Sequence, residues 1–439
     1  MKKRNMKVIL LLLLWVTGIA CAVSNPLAPS ATQTPYVITA TSNTGELGIA
    51  QPTETPVDAA QNEPTAEQPQ PVATATQSTG SVHVNQVPYG PAGLLVYADV
   101  DGMVSVFDVS GTQLGDIATP GFSGFGPGRI FAYGLDVNNV SSLQTIYFDS
   151  IGQMMKRVEN GQMTDLANIS YLANMQGFAN SPYFLIGKGN FVDGGLATEL
   201  MAYDFSNGVN SQLYGNTVSA ASHVYAPMMI HGNNGVPAGA YYTTEAFGIG
   251  GDIVYPVTFG LYHLDLASGN VNWLFNDDYS PLSISPDGTL AAIIQRDASW
   301  LGGVTIYDLS GPSEIVTYDL LMGQDRGAGY GVISPDNQKV AFMQAGGHMM
   351  AEPPDFHSML CYADIAAGAV ANCLPATQLV VSTVSYPNST AQPLGWLNNH
   401  ELLYEAYTLQ EPTHTLRVLD VDNGQITDLC SGRFLGFVY

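Results

Sequence analysis

The chain repeats one short pattern seven times. A run of aromatic or aliphatic residues leads into Asp and then into a small-residue turn: "VSVFDVSG" (Asp108), "TIYFDSIG" (Asp149), "LMAYDFSNG" (Asp204), "LYHLDLASG" (Asp265), "VTIYDLSG" (Asp308), "LCYADIAAG" (Asp364) and "LRVLDVDNG" (Asp420). Each copy reads as a strand entering a tight hairpin turn that leads to another strand. A second turn signal precedes each copy, at Pro91, Pro127, Pro182, near Pro237, and at Pro286, Pro335 and Asn398. In four units the two signals keep the same separation: 127 to 149, 182 to 204, 286 to 308 and 398 to 420 are each 22 residues. Chance turn residues would not keep step with chance aspartates. Each unit is therefore strand, turn, strand, loop, strand, turn, strand.

Four antiparallel strands per unit are the signature of a β-propeller blade, and a blade has two faces that only neighbours can bury. The expected fold is all-β, a propeller of seven four-stranded blades, with six or eight as alternatives. The "SPDG" units at Pro286 and Pro335 ("SPDN") resemble the WD-like, TolB-like propeller repeat, with the hydrophobic run supplied by Leu290–Ile294 and Val340–Phe342. That resemblance covers about residues 86–439; it implies a propeller, and the count of seven comes from the repeats. Closure requires the chain ends to meet, so "GRFLGFVY" is expected to pair beside the strand at Gly93–Ala98, with Ser81–Tyr89 adding another strand there.

Ahead of the repeats, "MKKRNMKVILLLLLWVTGIAC" has a basic start and a nine-residue apolar run, Val8 to Val16, too short for a permanent membrane span. It resembles a bacterial lipoprotein signal, in which small residues precede a Cys that takes the lipid, here Cys21; Gly18 stands where that signal usually has an aliphatic residue. The alternative is ordinary cleavage at Ala20-Cys21-Ala22, which would release the protein. Residues 22–80 are rich in Thr, Pro, Ala and Gln and hold no Lys or Arg. Such a segment cannot bury enough apolar surface to offset the entropy of ordering, and it reads as a disordered tether. The expected organisation is a signal with its lipidated Cys (1–21), a linker (22–80) and a propeller (81–439), held outside the cytoplasm at a membrane.

Lys+Arg number 13 against 37 Asp+Glu, and four of the basic residues lie in the signal. So sparse a basic set excludes nucleic acid as a partner, since phosphate binding needs clustered cations. Cys361 and Cys373 flank the turn "ADIAAGAVA" symmetrically, which suits either a cross-strand disulfide or two buried thiols.

Catalytic signatures are sparse. There is no G-x-S-x-G elbow, no sialidase box and no phosphate-binding glycine loop. Two stretches mix imidazole and thioether: His348, Met349, Met350, Glu352, Asp355, His357 and Met359, and His223, Met228, Met229 and His231. Such ligands suit copper, but no fixed spacing recurs. "DVDNG" at Asp420 resembles the start of a calcium loop yet occupies a hairpin-turn position. No cofactor is expected, with copper or calcium as the alternative. The loops opposite the "SPDG" turns are the long ones, and loops on a rigid scaffold carry function. Candidate ligand-binding residues on that face are Asp277, Asp278, Tyr279, Arg296, Trp300, Asp325, Arg326, His348 and His357. The expectation is a non-enzymatic binder of a protein, peptide or glycan. The alternative is a hydrolase or lyase with an axial acidic or metal site, recognisable by two convergent carboxylates.

Overall fold

The computed structural model describes residues 91–97, 103–122, 128–134, 136–178, 181–192, 195–204, 209–218, 223–233, 236–246, 257–296, 303–320, 326–346, 357–379, 389–408 and 414–438. Cys21, the linker and Ser81–Tyr89 lie outside them. The described strands form seven four-stranded antiparallel sheets, arranged as the blades of a propeller.

Blade 1 holds β1 (Gly93–Tyr97), β2 (Met103–Asp108) and β3 (Gln113–Ala118), and blade 2 holds β4 (Ile130–Tyr133), β5 (Gln144–Asp149), β6 (Met154–Glu159) and β7 (Gln162–Asn168). Blade 3 is β8 (Tyr171–Gly177), β9 (Tyr183–Val192), β10 (Gly195–Asp204) and β11 (Val209–Val218); blade 4 is β12 (His223–Asn233), β13 (Val236–Ala246), β14 (Thr258–Asp265) and β15 (Val271–Phe275). Blade 5 is β16 (Tyr279–Ile284), β17 (Leu290–Gln295), β18 (Val304–Asp308) and β19 (Ser313–Tyr318). Blade 6 is β20 (Arg326–Ile333), β21 (Lys339–Gly346), β22 (His357–Asp364) and β23 (Asn372–Pro375); blade 7 is β24 (Ser389–Trp396), β25 (Glu401–Thr408), β26 (Thr415–Asp420) and β27 (Ile426–Ser431). The final strand, β28 (Arg433–Val438), pairs antiparallel with β1 and is the innermost strand of blade 1. The chain end thus closes the ring on the strand expected from sequence.

The recurring Asp is explained by turn chemistry. It ends its strand, and its carboxylate accepts backbone N–H bonds from the turn that follows: Asp108 Oδ1 from Ser110 (2.9 Å) and Thr112 (2.8 Å), Asp265 Oδ1 from Ala267 (3.1 Å) and Ser268 (2.7 Å). These bonds favour the ionised form and hold Asp265 below the usual carboxylate pKa, the Ser268 N–H bond contributing most. In six blades this Asp ends the third strand. Blade 2 departs from the expected phase: Asp149 ends β5, its second strand. The 22-residue spacing from Pro127 persists because a long first connection, residues 134–143 with a 3₁₀ turn at Val140–Ser142, replaces the usual long loop after strand two. A strand–loop–strand–turn pattern reads the same whichever pair of strands it joins.

The "SPDG" turn is built the same way. Ser285 Oγ accepts from Leu290 N (2.8 Å) and donates to Asp287 Oδ1 (2.7 Å), and Ser334 repeats both bonds with Lys339 N and Asp336. Its fourth position needs positive φ, met by Gly288 (+76°) and by Asn337 (+59°) in the "SPDN" copy. Asn337 also donates to Asp287 Oδ2 at 2.6 Å, tying blade 6 to blade 5.

The core lies between blades. Seven buried clusters each join one blade to the next, from Leu95 with Ile130 and Tyr147 (blades 1 and 2) round to Leu94 and Val96 with Leu403, Leu416 and Phe434 (blades 7 and 1). On blade 6, Cys361 and Cys373 stand directly opposite each other in the β22–β23 pair, Cα atoms 4.0 Å apart, joined as a disulfide, while Cys430 is free.

Candidate functional site

In each blade the first and third turns share one face of the ring, and the loop after the second strand shares the other with the links between blades. The innermost strands β28, β4, β8, β12, β16, β20 and β24 surround a cavity of about 500 Å³ on the propeller axis. Its wall is mixed: Phe131, Met175, Met228, Leu282, Val332 and Phe434 are apolar lining side chains, and Asn174, Gln176, Thr243, Thr258 and Gln392 are polar ones. Arg129 and Glu245 also line it, and both sit at strand ends on the loop-rich face.

Three blades contribute to that polar corner. Arg129, just before β4, lays its guanidinium carbon 5.7 Å from the ring centre of Tyr171, the first residue of β8. Tyr171 Oη donates to Glu245 Oε1 at 3.5 Å, a long contact between β8 and β13. Burial pushes the Glu245 carboxyl above the usual range, and the Arg129 charge and the Tyr171 hydrogen bond offset only part of that. Burial likewise raises Tyr171, with the Glu245 charge adding to it.

Blade 6 adds Tyr330. It has φ +51°, between Gly329 and Gly331, where the β20–β21 register shifts. A tyrosine in the left-handed region is strained, and such strain persists only where packing over-determines it, commonly at ligand sites. Burial, then the charges of Tyr407, Glu405 and Glu245, hold its phenol protonated far above the ordinary pKa. Blade 7 supplies Glu405, 6% exposed, in contact with His414 Nδ1; His414 stacks on Tyr407 with ring centres 4.3 Å apart. Arg433 of β28 is close enough to Tyr407 to favour its phenolate, against the larger effects of burial and of Glu405. A titratable ring thus surrounds the loop-rich end of the axis. Among the described residues, Glu245 is the carboxyl that lines the cavity, while Glu405 is engaged by His414.

Four residues singled out from the sequence do come together, just outside the cavity at the junction of blades 4 and 5. Arg296 donates its backbone N–H to the Asp278 carbonyl (2.7 Å) and its Nη2 to the Asp277 carbonyl. Its guanidinium lies 4.0 Å above the Phe259 ring, and His223 stacks on Phe259 at 3.9 Å. Tyr262 Oη donates to Asp277 Oδ1 at 3.1 Å. Tyr279 packs against Phe275 and Tyr307 and serves the blade interface. Arg326 and His357 open β20 and β22, while Trp300, Asp325 and His348 lie outside the described residues. The imidazole–thioether stretch of β12 does not converge: His223 and His231 lie towards opposite ends of an eleven-residue strand, and no group of three or more His, Cys, Asp or Glu side chains among the described residues is placed to hold a metal.

Arg129, Glu245, Glu405 and Arg433 were not singled out from the sequence. Their signal is a lone charge inside an apolar β-run, as in "GRIFAY", "TTEAF", "LLYEAY" and "GRFLGF". A charge so placed is costly unless it is paired or used.

No protein-family model matches the chain, and no curated protein matches it. Solved structures do. TolB from Acinetobacter baumannii is 14% identical, with 79% of this chain and 81% of that one covered and a TM-score of 0.38. An oligogalacturonate lyase from Vibrio parahaemolyticus is 11% identical over 80% and 85%, TM-score 0.42, and a prolyl endopeptidase is 10% identical over 80% and 50%, TM-score 0.47.

Proposed function

We propose that this protein is a non-enzymatic binding propeller, anchored outside the cytoplasm by a lipid on Cys21, whose protein, peptide or glycan ligand enters the axial cavity from the loop-rich face. The observation that carries the reading is one guanidinium, Arg129, and one carboxyl, Glu245, at the loop-rich end of an axial cavity whose wall mixes apolar side chains with Asn174, Gln176, Thr243, Thr258 and Gln392. General acid–base hydrolysis of a glycosidic bond calls for two carboxyls facing one space; among the described residues Glu245 faces the cavity, while Glu405 is engaged by His414. A strained tyrosine, a stacked histidine and a mixed wall suit recognition. The tether of residues 22–80 would let the propeller sample the space beyond the membrane.

The test is retention of envelope components on the immobilised full-length protein. Leu282→Trp narrows the cavity, while Trp273→Ala removes an outer-strand side chain that is 49% exposed. A component held by the wild type should be lost from the Leu282 variant and kept by the Trp273 variant. Equal retention by wild type and Leu282→Trp would move binding away from the axis.

A further inference from the structure

We propose that the axial site takes the free C-terminal carboxylate of a peptide whose last side chain is apolar. The inference rests on the binding reading above and names the ligand class. It starts from the basic residues. Nine follow Cys21, in a chain with 37 Asp+Glu. Five of them pair with carboxylates: Lys156 with Asp149 (2.8 Å), Arg157 with Glu159, Lys188 with Glu199 (2.8 Å), Lys339 with Asp364 and Asp422 (3.9 and 3.8 Å), and Arg417 with Asp428 (2.6 Å). With acidic residues in such excess, pairing is the default. Arg129 and Arg433 have no carboxylate within ion-pair distance among the described residues.

Arg129 faces the axial cavity, and Arg433 immediately precedes Phe434, which lines it. Arg129 lines the cavity and rests on Tyr171. Arg433 stands at the start of the innermost strand β28, near Tyr407, and its Nε is buried without a hydrogen-bond partner. A buried guanidinium donor left unpaired is costly, and a planar two-oxygen acceptor satisfies it best. Glu245 shares this corner, and burial raises its carboxyl pKa, with the Arg129 charge and the Tyr171 hydrogen bond acting in the opposite direction. Beyond Arg129 the wall carries the apolar Phe131, Met175, Leu282, Val332 and Phe434 beside the polar Asn174, Gln176 and Gln392. That arrangement suits a carboxylate attached to an aliphatic or aromatic side chain, as at a peptide C-terminus.

The test uses the full-length protein in detergent and fluorescein-labelled tetrapeptides ending in leucine or phenylalanine, each as free acid and as amide, read by fluorescence polarisation. The acids should bind at least tenfold more tightly than the amides. Arg129→Met should weaken the acids at least tenfold and erase the difference between acid and amide, with an unchanged thermal melt. Arg433→Met should act in the same direction. Equal binding of acid and amide overturns the carboxylate claim, and if that binding is still lost in Leu282→Trp the axial binding site itself stands. Absence of tetrapeptide binding overturns the peptide class. Binding of a glucuronate-terminated oligosaccharide in its place, lost in Arg129→Met, would give the site to an acidic sugar.

Discussion

Deletion of residues 433–439 is expected to abolish the cooperative unfolding transition. This segment contains β28, which completes blade 1 and buries Phe434, Leu435 and Val438 at 3%, 0% and 0% exposure. Each side chain of that kind contributes about 1.5–3 kcal/mol when fully buried. Three of them approach the whole stability of a typical domain, roughly 5–15 kcal/mol. The loss does not stop at one strand, because Phe434 also belongs to the cluster between blades 7 and 1. Without it the ring has two open blade faces, and a stack of blades depends on its neighbours for burial. Circular dichroism and calorimetry of the shortened protein should show a broad, weak transition or none. A sharp transition near the wild-type temperature would contradict closure by β28.

The second large effect is acid sensitivity. His231 on β12 and His263 on β14 meet through their Nε2 atoms at 2.7 Å, with rings stacked 5.0 Å apart, so one imidazole donates and the other accepts. His231 is 7% exposed, and Tyr241 lies against both rings. Burial, then the neighbouring His263, push the His231 pKa from 6.5 down to about 4, while Asp265 acts in the opposite direction. Burial lowers His263 as well, again with Asp265 opposing. A second proton would leave both nitrogens as donors facing each other. The unfolded chain binds protons more readily than the folded one, so stability is full above about pH 6.5 and falls as the pH drops towards 4. Below that value His231 contributes no further loss. The drop across the window is on the order of 3 kcal/mol as an upper bound. Denaturant titrations at several pH values should show it, and His231→Gln should flatten the profile between pH 6.5 and 4. A wild-type profile that stays level through this window would contradict the lowered His231 pKa.

The architecture was legible because turns are local. Asp108, Asp265, Ser285 and Ser334 hold their turns with bonds spanning two to five residues, so their recurrence in the sequence reports hairpins directly. The blade 2 phase was not legible, because Asp149 forms the same local turn on the second strand that its counterparts form on the third. Hairpin symmetry placed Cys361 opposite Cys373 and left a disulfide or two thiols open; the structure joins them. The axial site is different. Arg129, Glu245 and Tyr330 come from blades 2, 4 and 6, and only closure of the ring brings them to one cavity. Arg296 and Asp277, singled out on the loop-rich face, do form a cluster there. The residues that line the axis sit in strands, where periodicity marks them as ordinary blade positions. His231 and His263 are 32 residues apart on strands that both flank β13, a proximity that turn signals cannot report.

The most direct measurement is photo-cross-linking in intact cells. A benzophenone amino acid placed at Leu282 probes the axial wall, and one placed at Trp273 probes the outer strand of blade 4. Axial binding predicts a discrete adduct from position 282, reduced by the Arg129→Met substitution, and none from position 273. Adducts from position 273 alone would place the ligand on the rim and contradict the axial site.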